Sequence, residues 1–296
     1  MRVGRELLHL TRAAKARSLF VVGIGKNVGK TVTMRAVYEA AGESDRSCGL
    51  TSIGRDGEAA DASDARPKPR LFLRPGTIVA TARSVLPRSP ASEILEVCDL
   101  HTAAGGLVLA RVHAGAFYEL VGPPTASGIR SVVESLSDRC DLTIVDGAVD
   151  RVAALAGGRD AVVVACGAAA GNTSQEVVDE VRALVQRLTI AAFDSSLEAL
   201  RIEGALTAGR AAELIARRET RQIVVRDPTQ IALAGKVATH AFEALRIRCE
   251  RPIRVVAVTI ASIAPERSFE PKQFGSAVAR ATGLPTFDVY AGAAAA

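Results

Sequence analysis

Residues 18–41 combine three features in one order: an apolar run at 18–22, a glycine-bearing turn at 23–31 and a helix-like stretch from 32 to 41. The turn reads Gly23-Ile24-Gly25-Lys26-Asn27-Val28-Gly29-Lys30-Thr31. A buried strand must here run straight into a helix, through a backbone that glycines allow to curl. Such a turn points successive N–H groups inward at an anion, and the helix N-terminus adds partial positive charge. The pattern predicts a phosphate-binding loop, with Lys30 reaching the β- and γ-phosphates and the Thr31 hydroxyl holding Mg2+. Gly25, Lys26, Asn27, Val28, Gly29, Lys30, Thr31 and Val32 are the expected contacts of a nucleoside triphosphate. ATP is the expected cofactor, with GTP left open. The plain alternative is a chance glycine turn, against which stand the strand before, the helix after and Gly-Lys-Thr in register.

The spacing departs from the commonest form. G-x-x-x-x-G-K-[ST] needs glycine at position 24, where Ile24 stands, so the loop begins one residue early at Gly23. The longer G-x-x-x-x-V-G-K-T form resembles the loop of dethiobiotin synthetase and cobyrinic acid diamide synthase, within the P-loop group that includes the MinD-type and metallochaperone ATPases. That resemblance implies the P-loop NTPase fold. Lysine usage also marks the segment: the chain has six lysines (15, 26, 30, 68, 236 and 272) among 37 basic residues, and two of the six lie in this loop. A phosphate loop wants a compact ammonium on a flexible stem, not a guanidinium fork. The MinD-type loop carries a second lysine five residues before the loop lysine, where this chain has Gly25; Lys26 is four before. Its role on phosphate or on a partner subunit's nucleotide therefore stays open, and a homodimer is among the expected assemblies.

At 296 residues the chain can bury a large core. The apolar fraction is 48%, much of it alanine, and the longest apolar stretch, 161–170, is too short to span a bilayer. Residues 1–6 lack the apolar core of a signal peptide, so a cytoplasmic, non-membrane protein is expected. Five cysteines (48, 98, 140, 166, 249) without a C-x-x-C pair read as buried free thiols. The four histidines (9, 101, 113, 240) are too scattered for a metal site. Net charge +5 is spread over mixed Arg/Glu surfaces such as 217–221, without interleaved aromatics, so no nucleic acid partner is expected.

Strand-like and helix-like segments alternate along the chain. Strands are expected at 18–22, 48–53, 70–73, 106–112, 141–146, 160–166, 200–206, 222–225, 253–260 and 286–290, with an extended or turning stretch at 76–80. Helices are expected at 4–16, 32–41, 125–139, 207–219, 229–247 and 271–282, and another from a capping box at Thr173 to Glu176 as far as about 188. Asp227-Pro228-Thr229 reads as a helix opening. The alternation predicts an α/β fold, a mostly parallel sheet with helices on both faces and a smaller C-terminal α/β part. The expected division is a nucleotide-binding domain at 1–194, a C-terminal domain or sheet extension at 195–290, and a frayed tail at 291–296.

A phosphate loop needs acids to position Mg2+ at strand ends facing it. Asp146 closes the apolar run 142–145 and precedes Gly147, the form of a Walker B strand, against the plain reading of an acid capping the next turn. Asp146-Gly147-Ala148 matches the first half of the V-E-G-A-G-G segment of dethiobiotin synthetase. Asp56, in Arg55-Asp56-Gly57-Glu58, falls where this group carries its first switch loop and is the second expected metal residue, acting through water. Glu58 and Asp61 are weaker candidates. Asn172 follows a strand and is read either as a turn residue or as a contact to base or ribose. Lys30 and Asp146 are the expected catalytic pair.

The acceptor side departs from the ligase. Dethiobiotin synthetase has Lys-Pro after its second strand, where this chain has Thr51-Ser52-Ile53-Gly54-Arg55, and Val149-Asp150 replaces the final Gly-Gly. Blocks at 54–58, 76–82, 121–124, 144–148 with 150–151, and 284–289 resemble the P-loop reactivase subunit associated with lysine 5,6-aminomutase and ornithine aminomutase. This resemblance implies an ATP-driven switch that expels damaged cobalamin from an adenosylcobalamin-dependent aminomutase. A ligase activating a small carboxylic or carbamic acid is the alternative, and a nucleotide-binding protein with little turnover comes third.

Overall fold

The computed structural model describes residues 2–54, 70–87, 91–147 and 160–290. Asp56, its neighbours Arg55, Gly57, Glu58 and Asp61, the Ala148 to Arg151 segment and the tail at 291–296 lie outside the described residues. The fold is α/β with a large, mostly parallel central sheet. The chain forms two compact units: Met1–Gly23 with Gly29–Ala154, and Ile24–Val28 with Leu155–Ala296. The division expected at 194 falls inside the second.

In the first unit the elements are α1 (Arg2–Ala13), β1 (Ser18–Gly23), α2 (Lys30–Gly42), β2 (Cys48–Ser52), β3 (Leu71–Leu73), β4 (Ile78–Ala82), β5 (Ser92–Thr102), β6 (Gly105–Val112), β7 (Ala116–Tyr118), α3 (Ala126–Ser137) and β8 (Leu142–Asp146). The strand order is β1-β8-β2-β4-β6-β5, parallel from β1 to β4. Leu19, Phe20, Val21 and Val22 of β1 are wholly enclosed, as for a parallel strand covered on both faces. Each such side chain contributes roughly 1.5–3 kcal/mol by leaving water. Where α1 crosses α2, a Cβ on Gly4 would stand 1.9 Å from the Ala36 carbonyl oxygen, so only glycine permits the approach.

Two features were not anticipated. The stretch expected at 76–80 as extended or turning is a strand, β4, that starts at Ile78 and runs on to Ala82, and β5 was absent from the expected strands altogether. β5 and β6 pair antiparallel with two residues between them, which leaves no length for the crossover helix that a parallel pair requires. The apolar residues of β5 do not alternate strictly because its ladder slips between Ile94 and Glu96 and again between Val97 and His101.

In the second unit follow β9 (Asp160–Gly167), α4 (Ser174–Leu188), β10 (Ala199–Arg201), β11 (Leu206–Thr207), α5 (Ala208–Ala216), β12 (Gln222–Val225), β13 (Ile231–Ala232), α6 (Gly235–Ala244), β14 (Arg246–Cys249), β15 (Val255–Ala261), β16 (Ile263–Ala264), β17 (Arg267–Ser268), α7 (Pro271–Thr282) and β18 (Thr286–Asp288). β15 lies between β9 and β18, all parallel. A separate parallel sheet, β10-β12-β14, has its own core, including Ile190, Leu206, Ile223, Val225 and Ile247. The helix expected over 229–247 is shorter: Asp227 caps only a three-residue turn, and β14 ends the stretch. In β14 buried Ile247 and Cys249 alternate with arginines, a strand period hidden behind the preceding helix pattern. The strand expected at 200–206 is interrupted, reduced to the ends of β10 and β11.

Candidate functional site

The loop after β1 has the backbone its sequence demands. Gly29 adopts φ 89°, ψ 10°, a left-handed conformation that glycine takes without strain, and Asn27 has φ 58°. Helix α2 starts at Lys30, and its first intrahelical bond runs from the Thr33 amide to the Gly29 carbonyl at 2.9 Å. No side chain caps this helix and no acid stands in its first turn. By contrast, Thr125, Thr173, Thr207 and Glu270 cap α3, α4, α5 and α7. Lys30, Thr31 and Val32 form a half-buried first turn with no side-chain cap and no acid of its own.

Asp146 stands at the end of β8, between its register partners Val21 of β1 and Ser52 of β2. Backbone bonds hold the position: the Ile53 amide donates to the Asp146 carbonyl at 2.8 Å and the Gly147 amide to the Val21 carbonyl at 2.9 Å. The residue is half-buried, yet its Oδ1 is fully enclosed and has no hydrogen-bond partner. Burial pushes the carboxyl up from 3.8 to about 6, while the Lys30 ammonium pulls in the opposite direction. An enclosed carboxylate oxygen without a partner is a defect unless a cation or water completes it. Mg2+ fits this donor set: a hard ion that uses one or two carboxylates, a hydroxyl, water and phosphate oxygens. Lys30 and Asp146 are thus brought together, with Thr31 next on α2.

The other expected loop residues lie in the second unit. The Ile24 amide donates to the Ala165 carbonyl of β9 at 3.1 Å. Val28 is buried, whereas Lys26 and Asn27 are exposed. A Cβ on Gly25 would meet only Val28 Cγ1 at 3.8 Å and Ala170 Cβ at 3.9 Å, ordinary contact distances. Folding alone does not require glycine there. Asn172 is committed to its own turn: its amide donates to Glu176 Oε2 at 2.7 Å, and its Oδ1 accepts from Arg267 at 3.2 Å.

A network that the sequence reading did not single out surrounds the end of β2. Ser52 Oγ donates to the Leu120 carbonyl at 2.9 Å and accepts from the Gly122 amide at 3.2 Å. Thr81 Oγ1 donates to the Glu119 carbonyl and accepts from the Val121 amide, each at 2.9 Å. The Gly54 amide donates to the Pro123 carbonyl at 3.0 Å. A Cβ on Gly122 would stand 1.7 Å from the Ser52 carbonyl oxygen, and one on Gly54 would stand 2.1 Å from that of Gly122. The described parts of the 54–58, 76–82, 121–124 and 144–148 blocks thus meet at the same strand ends. The signal available was the pair of glycines in Gly54 and Gly122-Pro123-Pro124, which mark a close backbone approach.

All five cysteines are free, four buried and Cys98 half-buried. Burial raises Cys48 to about 12 and Cys249 to about 11, so neither is a reactive thiolate. Among the described residues no three His, Cys, Asp or Glu side chains gather as a metal cluster, and no helix is long and apolar enough to cross a membrane. Neither a family model, a curated protein nor a solved structure matches the chain.

Proposed function

We propose that this chain is a Mg2+-dependent P-loop ATPase that works as a conformational switch on a partner protein, an adenosylcobalamin-dependent aminomutase whose activity it restores. The observation that carries the nucleotide reading is the enclosed, unpartnered Asp146 oxygen beside Lys30, at the head of the uncapped helix α2. In this reading the amides around Gly25 to Val32 cradle the polyphosphate, and the Lys30 ammonium neutralises charge on the departing γ-phosphoryl. The Thr31 hydroxyl and the Asp146 carboxylate would hold Mg2+, which when bound supplies Lewis-acid neutralisation of phosphate charge. Folding leaves the Asp146 carboxyl short of a partner, so the site favours the bound state.

The switch reading draws support from the β2 end. Gly54 and Gly122 touch backbone to backbone, so a shift at Gly54 must be passed to 119–123 and through Thr81 to β4. The partner's identity rests on the sequence blocks that resemble the reactivase subunit, and the missing ligase lysine agrees with it.

The test adds the purified chain and ATP to an aminomutase inactivated with damaged cobalamin. Recovery of mutase activity, accompanied by ADP release and absent with Lys30→Ala, is the expected result. ADP release stimulated by a small carboxylic acid without any partner would replace this reading with the ligase.

A further inference from the structure

Seven large apolar side chains are notably exposed among the described residues, and four of them, Phe72, Ile94, Val97 and Phe117, lie on β3, β5 and β7 of the first unit. β3 and β7 form a two-stranded antiparallel ribbon in which Phe72 stands directly opposite Phe117. Their rings pack edge to face with centroids 5.4 Å apart, yet Phe72 stays 51% exposed and Phe117 61%. Leu71, Leu73 and Tyr118 point inward and are buried, so the ribbon is fixed with both phenylalanines outward. Strand alternation puts Arg70, which is exposed, in the outward row with Phe72, whereas the Arg74 guanidinium lies over the Tyr38 ring, 5.8 Å from its centroid. The result is a rigid aromatic patch with a basic rim.

A second patch adjoins it. The Tyr118 hydroxyl donates to the Ala91 carbonyl, 3.2 Å away, which seats the ribbon beside the start of β5. β5 pairs only with β6 among the described residues and is an edge strand. It exposes Val97 (67%) and Ile94 among Glu93, Glu96 and Asp99, an aliphatic patch with an acidic rim. Glu93 already meets His113 at 3.1 Å and Glu96 meets Arg139 at 2.8 Å. Arg70 and Asp99 are the exposed charges of the two rims that have no partner among the described residues.

We propose that these neighbouring patches form a self-complementary interface with a second copy of this chain. A two-fold axis sets the basic aromatic patch of one copy against the acidic aliphatic patch of the other, and repeats the contact with the roles exchanged. The arrangement covers four aromatic rings and the open edge of β5, which otherwise invites uncontrolled strand pairing. Aromatic side chains supply the apolar centre, and Arg70 and Asp99 set the register at the rim.

Sedimentation and light scattering of the purified full chain at micromolar concentration test this. A dimer is expected, converted to monomer by Phe72→Glu with Phe117→Glu while ATP binding persists. Arg70→Glu and Asp99→Arg should each raise the dimer dissociation constant by roughly tenfold or more, and the two together should restore it. The charge pair decides the matter even if the phenylalanine variant fails to fold. A monomeric wild type, a dimer indifferent to these changes, or charge reversals that do not rescue each other would overturn the proposal. Loss of ATP binding in the wild type would strike the functional reading alone.

Discussion

Two strand-to-helix turns in this molecule do the same architectural job with opposite chemistry. After β9, the turn into α4 is closed from within: Thr173 Oγ1 accepts from the Glu176 amide at 3.2 Å, and Glu176 Oε2 accepts from the Asn172 and Thr173 amides. Arg267 adds bonds to the Gly171 carbonyl and to Asn172. After β1, the turn into α2 has no capping side chain, two left-handed residues and a neighbouring carboxylate oxygen without a partner. Both turns follow buried strands, so depth does not explain the contrast. Helix α6 also begins without a side-chain cap, at Ala234, so what sets the α2 turn apart is the enclosed, unpartnered Asp146 oxygen beside it; under the proposed function that combination is what separates a site for an external anion and cation from a structural turn.

The sharpest way to break the comparison is Lys30→Ala. If the α2 turn serves a ligand, ATP turnover should fall by roughly a hundredfold or more, while the melting temperature moves by no more than about 2 °C. Steady-state hydrolysis assays paired with thermal melts check both halves.

Asp146→Asn should act with the opposite sign on stability. Burial raises the folded carboxyl above its ordinary 3.8 to about 6, so the folded chain holds that proton more tightly than the unfolded chain. The favourable contribution is complete below the unfolded value and is lost as pH rises through about 6. At pH 7 without nucleotide, Asp146→Asn should therefore be more stable than wild type, on the order of 2 kcal/mol. The advantage should shrink as pH falls toward 4, and Mg2+-ATP should stabilise only the wild type. Urea titrations at several pH values, with and without nucleotide, measure this.

The smallest effect belongs to the closed turn. Thr173→Ala should cost about 1 kcal/mol of stability and leave ATP affinity unchanged. A loss of affinity there would mean that the two turns are not the separate devices described above.

Much of this was legible in the chain because it rests on local rules. The capping box at Thr173, the α7 span beginning at Pro271 and the apolar runs of β1, β8 and β9 are decided by near neighbours in sequence. That the loop glycines let the backbone curl was readable, although the left-handed φ of Gly29 itself was not. What escaped depended on distant partners. β5 is defined by its ladder with β6, and its slips blur the alternation that would reveal it. The Gly54–Gly122 approach joins residues far apart in sequence, and no local pattern says which glycine meets which. The state of Asp146 lies in the same class: sequence places an acid at a strand end, but only packing decides that its Oδ1 is left without a partner.

Isothermal titration of the purified chain with ATP, in the presence and absence of Mg2+, addresses the central claim most directly. One ATP bound per chain, tighter with Mg2+ and lost in Lys30→Ala and Asp146→Asn, is the predicted result. The absence of binding heat with ATP or GTP, or binding that neither substitution alters, would contradict it.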